Sequence, residues 1–392
     1  MTQAVIVGAG LMGRLLAWRL SKSGVKVSVY DASQQDASLS AAWTAAAMIA
    51  PISEKPLCHP DVFQFGLRSL QLWPQLLAEL QRDTGQSVRY LRRGTLVVAH
   101  PSDAAELTLF KNKVCDAELP GESYAVALDQ EGIAKKEPQL STSFDRGFWL
   151  PDEAQVDNRS LLSALSAAAE QYGAEFHYSA PVQFDGDRHL YRRGDSELTA
   201  DIVIDCRGAG MVSRAHYPEQ YPEQHPEKDR STQSIEGIRG IRGETIWVAC
   251  PEIEIHRPVR LLHPRYHLYL VPRGEGKYQL GATELETNDR SPVSVRSAME
   301  MLSAFWALAP EFSEARILSM ETNLRPATQD HRPVIIDDIH DNGRIVVNGL
   351  FRHGFLLAPA LLEKLTLGAL SGLMSLPKRS STGPRRVYET GY

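Results

Sequence analysis

Hydrophobic residues open the chain as a short β-branched run, AVIV at positions 4–7, and then change period. Leu11, Leu15, Leu16 and Leu20 recur at helical spacing, Gly24 suits a helix end, and KVSVYD (26–31) returns to a strand. VFQFGLRSLQLWPQLLAEL (62–80) predicts a long amphipathic helix ended by Thr84-Gly85. VRYLRRGTLVVAH (88–100) alternates as a pair of strands turning at Arg93-Gly94, and 102–138 predicts polar helix. Residues 147–173 predict a strand, a turn and a helix from near Asn158, and AEFHYSAPVQFD (174–185) predicts one strand leading on to Val182. TADIVIDCRGAG (199–210) predicts a buried strand followed by Gly208 and Gly210. The texture of 236–325 is strand-rich (IRGETIWVAC, YHLYLVPR, KYQLGATEL) with one helix over about 295–309, which predicts a separate antiparallel sheet. RIVVNGLFRHGF (344–355) is a strand and glycine turn, followed by a closing helix in PALLEKLTLGALSGL (359–373). That strand, turn and helix repeat the arrangement at the start, so the C-terminal segment is expected to fold back onto the N-terminal unit.

The fold class expected is α/β: a Rossmann-like nucleotide-binding domain with a second domain on a mixed, largely antiparallel sheet. The nucleotide domain is discontinuous, 1–85, 145–215 and 326–376; the substrate domain takes 86–144 and 216–325, and 377–392 is a polar tail expected to fray.

Composition narrows the class of function. The 392 residues are 43% hydrophobic and 23% charged, with a formal net charge of −6, which argues against a general nucleic-acid binder. Cys58, Cys115, Cys206 and Cys250 are scattered without metal-ligand spacing, so reduced structural thiols and no metal site are expected. No run approaches a membrane span, and the apolar start at Ala4 lacks the basic flank of a signal peptide. A cytoplasmic protein is expected. YPEQYPEQHPEK (217–228) cannot build a core and is expected as an exposed loop insertion.

The chemistry begins at Gly8, Gly10 and Gly13, a GxGxxG spacing between strand and helix. The first glycine makes a tight turn, the second admits a pyrophosphate to the backbone, and the third lets helix and strand pack closely. Asp31 ends the second strand, where an acidic side chain accepts hydrogen bonds from an adenosine ribose; this disfavours NADP and leaves NAD or FAD. SLSAAWTAAAMIAP (38–51) favours FAD, because small residues let backbone pass close to a large planar ligand; an Ala-rich helix start is the plainer alternative. At the other end, NGLFRHGFLLAPAL (348–361) sets Arg352 and His353 in an apolar run. The Arg352 guanidinium either reaches out to water or is met by an anion, which is a ligand or a carboxylate of the closing helix such as Glu363.

These segments together resemble one family. VIVGAGLMG, AAAMIAP (45–51), YLVPR (269–273) with LGAT (280–283), NLRPATQDHRPVI (323–335) and FRHGFLLAPA (351–360) are similar to the FAD-dependent amine oxidases of the D-amino-acid oxidase superfamily, within them the glycine oxidases of thiamine biosynthesis. The resemblance spans nearly the whole chain. It implies non-covalent FAD held by Gly8, Gly10, Leu11, Met12 and Gly13, with Asp31 and Ala32 at the ribose and Ala46, Ala47 and Met48 along the flavin. Val182 would meet the adenine through its backbone, and Leu350, Phe351, Arg352, His353, Gly354, Phe355 and Leu356 would wrap the ring system. Arg325 would pair with a substrate carboxylate, with Arg352 close by and Tyr269 donating its hydroxyl.

The activity implied is oxidation of a small amino acid, glycine or a close analogue, with a hydride passing to flavin and oxygen giving hydrogen peroxide; a 2-oxo acid and ammonia follow from the imine. An oligomer is also implied. Two other readings stay open: a dehydrogenase with a non-oxygen acceptor, and a flavoprotein acting on or within a partner protein. Two positions depart from the family pattern: Asp31 replaces the more usual glutamate, and His353 stands where glycine oxidases usually carry Asn.

Overall fold

The computed structural model describes residues 2–115, 124–185, 189–192, 197–211, 238–339, 343–371 and 386–387. Two large sheets carry the architecture. The first has seven strands, in the order Arg386–Val387, Val334–Asp338, Arg344–Asn348, Ile202–Asp205, Gln3–Val7, Lys26–Tyr30 and Glu175–His177. Its middle is parallel: Gln3–Val7 lies between Ile202–Asp205 and Lys26–Tyr30, and Arg344–Asn348 continues beyond. Four of the five residues of Gln3–Val7 are buried, as a parallel strand covered on both faces requires. The helices Leu11–Lys22 and Asn158–Gln171 pack on each other, as do Pro60–Thr84 and the closing helix Gly354–Leu367. One core cluster joins Trp18, Trp73, Leu165 and Leu361, so the C-terminal segment does return to the N-terminal unit.

The second sheet has eight strands, in the order Arg316–Ala327, Arg239–Ala249, Lys277–Gly281, Tyr266–Gly274, Val259–His263, Thr95–Ala99, Arg146–Leu150 and Val126–Asp129. Every neighbouring pair is antiparallel except Val259–His263 with Thr95–Ala99. The helix Val295–Leu308 covers it, with Met301, Phe305 and Leu308 in its core. The mixed, largely antiparallel sheet is therefore present.

Several local expectations are corrected. Residues 88–100 do not form a hairpin: Tyr90–Leu91 pairs with Ala154–Val156, while Thr95–Ala99 enters the large sheet. Gly94 (φ +75°) marks the crossing, since a Cβ there would meet Trp149 Nε1 and the Leu150 carbonyl. Residues 174–185 are two strands in different sheets, broken at Ser179 (φ +51°) and Pro181. The helical prediction for 102–138 fails at Val126–Asp129, which pairs with Arg146–Leu150. That second strand belongs to the large sheet, so the expected boundary at 145 falls before a strand of the other unit. The closing helix starts at Gly354 and runs through Pro359, five residues before the expected start. Pro359 has no N–H for the Phe355 carbonyl, and Trp73 Nε1 donates to that carbonyl at 3.0 Å instead. In the tail, Arg386–Val387 pairs with the strand Val334–Asp338. The 217–228 insertion lies outside the described residues.

Candidate active site

A cavity of about 530 Å³ runs between the two sheets. Its walls include every residue that the resemblance assigned to FAD or substrate except Gly13. Gly13 acts behind the wall: a Cβ on it would collide with the Gly8 carbonyl, so its glycine serves close packing. Gly8 (φ +103°) turns the chain where a Cβ would stand 2.6 Å from the Cys206 carbonyl. The helix Leu11–Lys22 starts with Gly10, which offers no side-chain cap, and its first turn has no acidic residue. The closing helix also starts uncapped, after His353, with no acidic residue in its first turn. Two helix N-termini, with open amides and positive dipole ends, thus reach one cavity.

Asp31 sits at the strand end as expected, and its carboxylate already has work. Oδ2 accepts from the Ala9 amide, and Oδ1 accepts from the Ser33 amide at 2.6 Å and from the Ser33 hydroxyl. Asp31 therefore ties the glycine loop to the next turn as well as lining the cavity. The small-residue stretch becomes a short helix, Ala41–Thr44, then an irregular turn with Ala47 at φ +49°, then the short strand Met48–Ile49. Cys206, Gly208 and Gly210, at the end of the predicted buried strand, also line the cavity. The Cys206 thiol is pushed up by burial and by Asp205.

The opposite wall is one face of the large sheet, and its register explains it. Ile241 pairs with Arg325, and Thr245 pairs with Gly281, which pairs with Tyr269. Side chains at alternate strand positions share a face, so Arg325, Gly243, Thr245, Gly281 and Tyr269 look the same way. Both glycines clear space. A Cβ on Gly243 would lie 2.5 Å from the Arg325 guanidinium, and one on Gly281 would lie 2.5 Å from the Tyr269 hydroxyl.

Arg325 donates to the Thr283 carbonyl at 2.9 Å and makes no ion pair among the described residues. Its pKa is lowered by burial and, among its neighbours, by the Arg352 charge, which the Tyr269, Glu284 and Glu54 charges oppose. Burial pushes the Tyr269 phenol up, with Arg325 opposing, so the hydroxyl stays protonated as a donor. Thr245 Oγ1, between them in the register, is buried without a hydrogen-bond partner.

Arg352 is met differently. Its expected alternative partner, Glu363, is taken by Arg68 at 2.7 Å. Arg352 instead pairs with Glu54 at 2.8 Å and with Glu284 at 3.1 Å. Glu54 also receives Arg260 and, at 3.2 Å, Nε2 of His353. Burial by itself pushes Glu54 up, but Arg352, Arg260 and the His353 hydrogen bond hold it well below the usual carboxylate range. His353 is pushed down by burial against the Glu54 hydrogen bond, which keeps the ring neutral near pH 7. With Nε2–H turned to Glu54, Nδ1 is a buried acceptor without a partner.

A glycine-rich turn, two uncapped helix starts and a corridor of small residues on one cavity are the fit of a dinucleotide carrying a flat ring. The family pattern of FAD dependent oxidoreductases matches residues 3–365.

The chain belongs to the FAD-dependent oxidoreductase family.

Within that family, the chain is 34% identical over 378 residues to a Rhizobium etli protein named as the thiamine biosynthesis oxidoreductase ThiO, covering 96% of this chain and 99% of the relative. The crystal structure of glycine oxidase from Geobacillus kaustophilus superposes with a TM-score of 0.74 at 23% identity, covering 93% of this chain and 94% of that one. That of glycine oxidase from Bacillus cereus gives 0.78 at 20% identity, covering 95% and 98%. For an FAD-dependent oxidoreductase the site is thus built from both sheets. Sequence reasoning missed Glu54, Arg260, Glu284, Thr245 and the two glycines under Arg325 and Tyr269. Of the segments that carried the family resemblance, LGAT (280–283) contains Gly281 and none contains the others.

Proposed function

We propose that this protein oxidises glycine or a closely related small amino acid to its imine, as the glycine oxidases it resembles are named for doing. The observation that carries this is Arg325: a guanidinium over the bare Gly243, lacking a carboxylate among the described residues and facing the cavity beside the Tyr269 hydroxyl. A planar fork held by a backbone carbonyl is presented for bidentate capture of a carboxylate. Arg352 supports the same wall from its pair with Glu54 without supplying the free cation.

FAD, bound non-covalently, would be held by Gly8, Gly10, Leu11, Met12, Asp31, Ala32, Ala46, Ala47, Met48, Val182 and the segment 350–356, with Gly13 packing behind them. When bound, it supplies a two-electron acceptor that oxygen regenerates with release of hydrogen peroxide. The protein's part is orientation: Arg325 and Tyr269 fix the carboxylate, and the neutral His353 adds no charge of its own beside the flavin. The imine then hydrolyses to a 2-oxo acid and ammonia, or enters thiazole formation.

The proposal includes a nucleotide unit of 1–85, about 151–215 and 326–376, with the boundary moved past Leu150, and a substrate unit from the remainder up to 325. It also includes a cytoplasmic location and an oligomer. Among the described residues no helix is long and apolar enough to cross a membrane.

Anaerobic titration with glycine, sarcosine and D-alanine tests the reading. Bleaching of the yellow protein by glycine, with colour and peroxide returning in air, is the expected result. A flavin that stays yellow with all three overturns it.

A further inference from the structure

Behind the wall of small residues lies a second cleft of about 660 Å³, open to solvent. Four cations line it, Arg89, Arg159, Arg273 and Lys277, against two acids, Asp157 and Glu275. Lys277 pairs with Glu275 at 3.1 Å, and Arg159 pairs with Glu321 at 2.6 Å. Arg89 and Arg273 make no ion pair among the described residues. Arg273 is held by Gln279 Oε1 at 3.1 Å, the Val156 carbonyl at 3.2 Å and the Ala45 carbonyl at 3.3 Å. This is the arrangement that marks Arg325: a guanidinium fixed by neutral acceptors with no anion of its own. Burial, with Arg159 and Arg89 nearby against Asp157 and Tyr269, brings Arg273 down to about 10.

The group is rigid. The Arg159 guanidinium lies between the Trp43 ring at 4.2 Å and the Trp247 ring at 4.4 Å, and Arg273 stands 5.4 Å from the centre of Trp247. Arg89 crosses over Gly274 (φ +88°), where a Cβ would sit 2.5 Å from its Nη1. Unpaired like charges held this close repel each other, and a bound polyanion relieves that repulsion.

We propose that this cleft is a second binding site, separate from the flavin cavity, for a small molecule bearing a phosphate or pyrophosphate group. One guanidinium held by neutral acceptors and one exposed guanidinium, neither with a counter-ion among the described residues, with an ammonium and a third guanidinium beside them, match a group carrying more than one negative charge and several acceptor oxygens. The size of the cleft suits a metabolite. Its floor reaches the wall of the first cavity: Arg273 holds the Ala45 carbonyl and Arg159 stacks on Trp43, both in the segment that lines that cavity or flanks it.

Calorimetric titration of the FAD-loaded protein at constant ionic strength, with pyrophosphate, inorganic phosphate and sulfate in turn, tests the site. Because the cofactor then fills its own phosphate cradle, saturable binding reports elsewhere. Expected are saturable binding with pyrophosphate tighter than phosphate, and about a tenfold loss in Arg89→Gln, the magnitude of one charge-assisted hydrogen bond. Lys277→Gln, also exposed, should weaken it further, and Arg325→Ala should leave it unchanged. Arg273→Gln is the stronger test if that variant folds; the two exposed variants suffice otherwise. No saturable heat at millimolar pyrophosphate, an equal response to sulfate, or binding that survives Arg89→Gln with Lys277→Gln each overturns the proposal.

Discussion

Arg325 and Arg352 approach one cavity from different parts of the fold, and their surroundings are opposite. Arg352 stands in the loop before the closing helix and meets Glu54, 10% exposed, which also binds Arg260 and His353. Arg325 stands on a strand and meets only backbone carbonyls and open cavity. A guanidinium with an internal carboxylate is a structural element; one without it is a demand for a ligand. The apolar setting alone could not distinguish them. The deciding quantity is where the nearest carboxylate lies after folding, because removing one partner of a buried pair costs far more than the pair contributes.

That contrast breaks most easily at Glu54. Glu54→Gln leaves Arg260 without its anion and Arg352 with only the half-exposed Glu284, and should cost about 3–5 kcal/mol of stability, read as a lower Tm of the FAD-loaded protein. The pH dependence has a definite sign. Glu54 titrates lower folded than unfolded, so its contribution is complete above the ordinary glutamate value of about 4.3 and fades as pH falls through the folded value. The Tm gap between wild type and Glu54→Gln should therefore close in acid. A gap that persists unchanged, or a variant as stable as wild type at neutral pH, would remove Glu54 from the centre of the network.

Arg325→Ala should show the converse: an unchanged Tm and retained FAD, with kcat/KM for glycine reduced by about 3 kcal/mol, or roughly 150-fold. Wild-type glycine kinetics in this variant would sink the carboxylate assignment. Tyr269→Phe removes one donor and should lower kcat/KM about tenfold while the flavin spectrum stays in place. A larger fall than for Arg325→Ala would reverse the order of the two contacts.

The smallest effect should come from Glu284→Gln. Its carboxylate is 44% exposed, and its bond to Arg352 is screened, so stability should move by no more than about 0.5 kcal/mol. A loss as large as that of Glu54→Gln would mean that Arg352 depends on both carboxylates equally.

How much was legible follows from the distance over which each feature is encoded. Gly8, Gly10, Gly13 and Asp31 lie within one strand–helix–strand unit, and their conformational demands are visible in local spacing. Arg325, Arg352 and Tyr269 stood out through motifs resembling a known family, while their partners did not. Glu54 looks like an ordinary acid at a helix end. Gly243 and Gly281 look like weak strand positions, yet their absent side chains make room for Arg325 and Tyr269. The hairpin expected at 88–100 failed for the same reason: alternation predicts strands, and cannot say which sheet each strand joins.

By itself, the sequence determined the nucleotide-binding unit, the presence of a second antiparallel sheet, the family and the arginines to watch. Turn geometry and hydrophobic period act over a few residues, so they can be read from neighbours in the chain. Tertiary structure alone decided which arginine is free, because ion pairing depends on contacts such as that between Glu54 and Arg352, formed across 298 positions of chain. Register across four strands, not spacing within any one of them, brought Arg325 and Tyr269 onto a common face.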